Sequence, residues 1–130
     1  MLLQDNRLRK MRDFSLIIKH GQWINGRFLD IKYLELAKNQ NFFPKKENPE
    51  SFKKQLRIAF SVGLKISKSA VKRNRVRRQM SECFRLLVKD NKLSIGYYIL
   101  IVPKKEVLEK EYAEISQEIE SLLRRCAILK

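Results

Sequence analysis

Apolar positions along this chain recur with two periods, and the switches between them mark the elements. From Met11 to His20 the residues Met11, Phe14, Ile17 and Ile18 fall at three- and four-residue steps, which predicts a short amphipathic helix with Phe14 and Ile18 one turn apart on one face. Lys19 and His20 suit its C-terminus, and Gly21 supplies a stop. Gln22–Asn25 reads as a short strand, and Asn25-Gly26 is the strongest local hairpin signal. In the next strand Leu29, Ile31 and Tyr33 alternate with Asp30 and Lys32, but the phase flips at Leu34-Glu35-Leu36, which predicts a bulge or the strand's departure from the sheet. Residues 38–54, with two prolines and three phenylalanines, read as a loop insertion. Alternation then resumes: Leu56, Ile58, Phe60 and Val62 point one way, and Arg57, Ala59 and Ser61 point to a partly wet face.

A longer helix follows, with a cap expected at Ser67 or Ser69. At about 100° per residue, Val76, Met80, Cys83, Phe84 and Leu87 form its buried stripe, and Asn74, Arg75, Arg78, Glu82 and Arg85 lie opposite. Arg73 and Arg77 project near the apolar stripe, so the first two turns are expected to overhang the sheet. Asp90–Gly96 is a turn, Tyr97–Val102 reads as a central strand buried on both faces, and Pro103 ends it. About Lys110 to Cys126, the residues Tyr112, Ile115, Ile119, Leu122, Leu123 and Cys126 make a last amphipathic helix that covers the sheet. The order, αβββαβα, predicts one α+β domain of helices packed on an antiparallel-rich sheet in a two-layer sandwich. Residues 1–10 form a basic arm that either packs through Leu8 or lies along RNA through Arg7 and Arg9.

Composition adds a partner to this outline. The 130 residues suit one domain, and an apolar fraction of 44% argues against disorder. A net charge of +15 repels itself, so bound anions are expected to add to stability. That charge is uneven: residues 1–105 hold 25 Lys/Arg and 8 Asp/Glu, net +17, whereas residues 106–130 hold 4 and 6, net −2, and are expected to face away from a polyanion. No apolar run approaches the roughly 18 residues of a membrane span, and residues 1–15 contain no apolar core of a secretory signal, so the expected compartment is cytoplasmic. Cys83 and Cys126 lack the spacing of a zinc site and fall on the apolar stripes of two helices, where reduced core thiols are expected.

Side chains for self-sufficient hydrolysis are few. His20 is the only histidine and lies at a helix end, while Glu111, Glu114 and Glu118 are spaced as a solvated face rather than a metal cage. The charge concentrates instead in Lys65–Arg85, where eight cations stand against Glu82 alone. Guanidinium forks match phosphate oxygens, and a helix N-terminus attracts them, so structured RNA is the expected ligand. Phe14 and Ile18 are either core or one wall of a groove in which bases stack beside cations of the sheet, such as Arg57 and Lys32.

These residues also resemble a family. AVKRNRVRRQMSECFR is similar to the RNR signature of the bacterial ribonuclease P protein subunit. Asn6-Arg7-Leu8, Asp13-Phe14 and Gly21 resemble its N-terminal pattern, RIAFSV its strand before the basic loop, and YYILIVPK its last strand. The resemblance implies a ribosomal-S5-domain-2-like fold with a left-handed βαβ crossover around the RNR helix. It implies a catalytic RNA as partner, one protein per RNA, cleaving precursor tRNA at the mature 5′ end. Mg²⁺ would be held mainly by RNA, with no cofactor and no catalytic residue on the protein. Carried over by position, Lys65, Lys68, Lys72, Arg73, Asn74, Arg75, Arg77 and Arg78 would contact the catalytic RNA. Phe14, Ile18, Lys32, Tyr33, Arg57 and Ser61 would face the precursor's 5′ leader, and Asn6, Arg7 and Arg9 would add RNA contacts. The chain departs from the family at Ile18, commonly aromatic, at Ser81, commonly Arg, at a Lys-Lys pair split into Lys65 and Lys68, and in the longer 38–54 loop. A ribosomal or RNA-chaperone protein is the alternative reading, and a metal nuclease acting alone a third.

Overall fold

The order of elements follows the periodicity closely. The structure, a computed structural model, describes residues 6–39 and 54–130, so most of the insertion expected over 38–54 lies outside the described residues. Helix α1 (Met11–His20) leads into strands β1 (Gln22–Asn25) and β2 (Leu29–Glu35); β3 (Leu56–Phe60), helix α2 (Ala70–Lys89), β4 (Tyr97–Pro103) and helix α3 (Tyr112–Arg125) complete the chain. The four strands form one sheet in the order β1-β2-β4-β3. β1 with β2 and β2 with β4 are antiparallel, whereas β3 and β4 are parallel, so the chain has to cross between them, and α2 makes that crossing.

Strand alternation decides which side of the sheet each helix covers. Ile31, Ile58, Ile99 and Ile101 point to one face, where they meet Val76, Met80, Phe84 and Leu87 of α2 and Ile115, Ile119, Leu122 and Leu123 of α3. This is the main sandwich, and the buried stripe of α2 consists of the five residues that the helical angle predicts. The opposite face carries a smaller core in which Ile17 of α1 packs with Leu34, Ala59, Tyr98 and Leu100. Burying a side chain such as Ile17 completely contributes about 1.5–3 kcal/mol, so this second core is enough to seat α1. It also explains the phase flip in β2. The pairing from Leu29↔Pro103 to Glu35↔Tyr97 is unbroken, so of the two expected outcomes there is no bulge and the strand leaves the sheet at Leu36; Leu34 and Leu36 belong to the second core. β4 is one of the two inner strands, and all seven of its residues are buried or half-buried, five of them buried.

Two turns differ from their sequence signals. Gly21 ends α1, but with φ −70° it is not a left-handed stop. Its need for glycine is steric, because a Cβ there would stand 2.4 Å from Ile17 O and 3.1 Å from Lys32 Cγ. The hairpin at Asn25-Gly26 is present, but its closing pair is Asn25↔Asp30, so the loop is longer than a two-residue turn. That loop is held from outside: Arg27 and Phe28 donate their backbone N–H groups to the Glu118 carboxylate of α3 at 2.7 and 2.9 Å. Phe28 is thereby turned into the core. Cys83 and Cys126 are both free thiols; burial pushes Cys83 up to about 11, against the opposing pull of the Ser116 hydroxyl at 3.6 Å.

Candidate nucleic-acid interface

The basic end of α2 begins in the loop that precedes it. Ile66 is buried and anchors the loop, Ser67 Oγ accepts the Ser69 N–H at 3.1 Å, and Ser69 caps the helix by accepting the Lys72 N–H at 3.3 Å. The first two turns of α2 escape burial as expected: Ala70 to Arg75 are exposed apart from half-buried Arg73, Val76 is the first buried residue, and Arg77 is exposed. Arg73 and Arg77 also fold back on the loop: Arg73 Nη1 donates to Ser67 O at 2.9 Å and Arg77 Nη2 to Val62 O at 2.6 Å. The loop carbonyls have no strand partner, and the arginines satisfy them without leaving the surface. Arg77 Nη1 also holds Asn74 Oδ1 at 3.0 Å, and Arg75 Nη2 donates to Leu108 O. A guanidinium has five donors, so each of these arginines keeps others for a ligand. Lys65, Lys68, Lys72 and Arg78 are exposed and donate no side-chain hydrogen bond to the described residues. All eight residues predicted to touch the catalytic RNA therefore sit at one end of the molecule.

A groove of about 1010 Å³ runs from this end along the outer side of β3. Its α2 wall carries Asn74, Arg77 and Arg78, its floor is Ile58–Phe60, and its far wall is Arg7 and Phe14. The far wall exists because the N-terminal arm adds itself to the edge of β3. Arg7 pairs with Ile58 in parallel, Leu8 N donates to Ile58 O at 3.0 Å, and the Asn6 side chain donates to Leu56 O at 2.9 Å. Leu8 is buried, so the arm packs rather than lying loose, and it covers an edge that would otherwise expose unpaired backbone. Phe14 and the arginines, assigned from sequence to separate surfaces, thus share one groove. Phe60, marked by strand alternation only as a core position, and Val71, 75% exposed and carrying no signal in the sequence, belong to it as well.

The residues predicted to face the leader divide. Phe14 is half-buried in the groove, Arg57 lies on the same sheet face with Nη1 on Arg7 O at 3.2 Å, and Ser61 is exposed just past β3. Ile18 is 60% exposed, so the fully buried residue of α1 is Ile17. Lys32, also expected to face the leader, is buried, and its Nζ donates to Ile18 O at 2.6 Å, which ties the α1 C-terminus to β2. Tyr33 does not join Phe14 and Arg57: it lies on the other face of the sheet, edge-on to Tyr97 with ring centres 6.2 Å apart and its hydroxyl donating to Gln22 Oε1. In the arm, Asn6 is committed to the β3 backbone, Arg7 lines the groove and Arg9 is exposed. Trp23, 52% exposed, was not singled out by the sequence.

The acids have structural duties. Glu111 and Glu114 form the capping box of α3, Glu118 holds the hairpin loop, and Glu82 pairs with Arg85 at 2.6 Å, whose hydrogen bond lowers the Glu82 carboxyl below the usual range. The solvated acidic face expected on α3 is therefore in part a set of fastenings. Among the described residues no three of His, Cys, Asp and Glu come together as metal ligands. No helix there is long and apolar enough to cross a membrane.

Comparison with known proteins bears on the same residues. The family model for Ribonuclease P matches residues 2–127. A ribonuclease P protein component from Synechococcus sp. is 33% identical over 129 residues, 99% of this chain and 87% of the relative. One from Cyanothece sp. is 31% identical over 130 residues, 99% of this chain and 98% of its own. In fold, the RNase P protein of Staphylococcus aureus matches with a TM-score of 0.73 at 21% identity, over 96% of this chain and 98% of that one. The RNase P protein from Thermotoga maritima gives 0.67 at 23%, over 92% and 96%.

Proposed function

The chain belongs to the ribonuclease P protein family, a component of an endoribonuclease of tRNA processing, and on that premise we propose how its two basic regions divide the work. The N-terminal half of α2 and its loop dock the catalytic RNA, and the groove beside β3 takes the single-stranded 5′ leader of precursor tRNA. The groove carries this reading: one cavity has arginine donors on the α2 wall and an aromatic ring on the α1 wall. Arginine there serves phosphate, by paired N–H donors that need no base identity. Phe14 serves a base, since every base has a π-face to stack.

The chain's own contribution is to bring two polyanions together. Seventeen net positive charges in residues 1–105 lower the repulsion between catalytic RNA and precursor, which otherwise opposes their encounter. With no cluster of metal-ligating side chains among the described residues, the donor set does not fit a protein-held Mg²⁺. In this reading bond cleavage belongs to the RNA partner, with Mg²⁺ held there, and this chain's side chains position the two RNAs. The test is precursor-tRNA cleavage by the catalytic RNA at low Mg²⁺ with and without the protein. Stimulation by the protein is the expected result, and cleavage that is the same in both arms overturns the reading.

A further inference from the structure

Trp23 is the chain's single tryptophan, and it stands on β1, the strand at the edge of the sheet remote from the arginine groove. Pairing places it opposite Lys32. The Lys32 ammonium, already bonded to Ile18 O at 2.6 Å, lies 5.0 Å from the centre of the indole. The ring is thus propped from one side by a buried cation that also fastens the last turn of α1. Trp23 is still 52% exposed, and the last turn of α1 presents Ile18, 60% exposed, with Lys19 and His20 also at the surface.

An isolated surface aromatic needs no explanation. This one differs in being oriented by a cross-strand cation and flanked by a second exposed apolar side chain and by basic residues. A half-exposed indole held against an ammonium and beside basic residues suits a flat, anionic-backboned partner. A base stacks on the indole while its phosphates meet the surrounding positive potential. A second copy of the chain, itself at +15, would bring like charge to this face.

We propose that Trp23, set on the Lys32 ammonium beside Ile18, is a stacking platform for one base of single-stranded RNA, extending the substrate path to the side of α1 away from the arginine groove. The inference rests on the reading that this protein handles a single-stranded leader, and it adds a position and a residue to it. Because Trp23 is the only tryptophan, its emission reports the site directly. Titrating the full chain with a hexa-adenylate should quench that emission saturably, while a short RNA duplex at equal phosphate concentration should not. Equal quenching by duplex and single strand, no quenching, or a change that follows protein concentration alone, as a self-association would give, overturns the proposal.

Reconstituted cleavage separates this failure from that of the broader reading. Trp23→Ala should weaken the holoenzyme's affinity for precursor with a single-stranded leader about five- to tenfold, leave affinity for mature tRNA unchanged, and be largely rescued by Trp23→Phe. Unaltered affinity in Trp23→Ala, with wild-type stimulation intact, sinks the platform and leaves the broader reading standing. No stimulation by the wild-type protein sinks the broader reading, and the emission titration then decides the platform alone.

Discussion

Lys32 shows how a cation on a wet-looking strand position comes to be withdrawn from solvent. The alternation of β2 marks Asp30 and Lys32 as outward, yet α1 lies across that face and Lys32 is 8% exposed. Its ammonium is satisfied by Ile18 O and by the Trp23 ring, so burial is not left uncompensated. Lys32→Met should therefore lower stability by about 1.5–3 kcal/mol in urea denaturation, without changing the salt dependence of RNA binding. A salt slope reduced by about one would instead return Lys32 to the phosphate-binding set. Arg73 and Arg77 make the complementary point. Their helical angle is correctly read, but the side chains are long enough to turn back to Ser67 O and Val62 O, and no angle predicts that.

The elements are joined by a few side chains that reach between them. Glu118 is the clearest, since one carboxylate of α3 receives two N–H groups of the β1–β2 loop, 91 and 90 residues away in sequence. Such charge-assisted bonds are the stronger kind. Glu118→Gln keeps the shape but sets an amide N–H₂ against one of the two donors. It should lower stability by about 1–3 kcal/mol in the same denaturation measurement while leaving RNA affinity as it was. A loss of RNA affinity at equal stability would show that this loop is part of the interface. The spacing of Glu111, Glu114 and Glu118 could not distinguish a solvated face from a fastening, because what Glu118 meets is set by where the hairpin lands.

At the scale of the whole molecule the cations of α2 gather at its N-terminal end and along the β3 groove, while α3, which carries three of the six acids of residues 106–130, packs beside α2 on the same face of the sheet. Arg78 is exposed, its side chain makes no hydrogen bond to the described residues, and it lines the groove, so its effect on binding should be uncomplicated by stability. Arg78→Ala should leave the urea midpoint unchanged and flatten the log–log salt dependence of catalytic-RNA affinity by about one unit. Arg73→Ala should do the same to the slope while also lowering stability, because it removes a loop contact as well as a phosphate contact. An unchanged slope in both variants would mean that this end of α2 is merely solvated.

By itself the sequence determined the elements, their order and the buried stripe of α2, because these follow from local spacing: a period of 3.6 or 2 needs no knowledge of what lies opposite. It also determined the concentration of cations in Lys65–Arg85, which is composition. Only the tertiary structure decided which face of the sheet α1 covers, and hence that Lys32 is buried, Tyr33 faces the main core and Leu34 needs no bulge. It decided, too, that the N-terminal arm closes the β3 edge and brings Phe14 and the α2 arginines to one groove. Those facts depend on contacts between residues some fifty positions apart, such as Leu8 with Ile58, whose geometry is set by packing rather than by spacing along the chain.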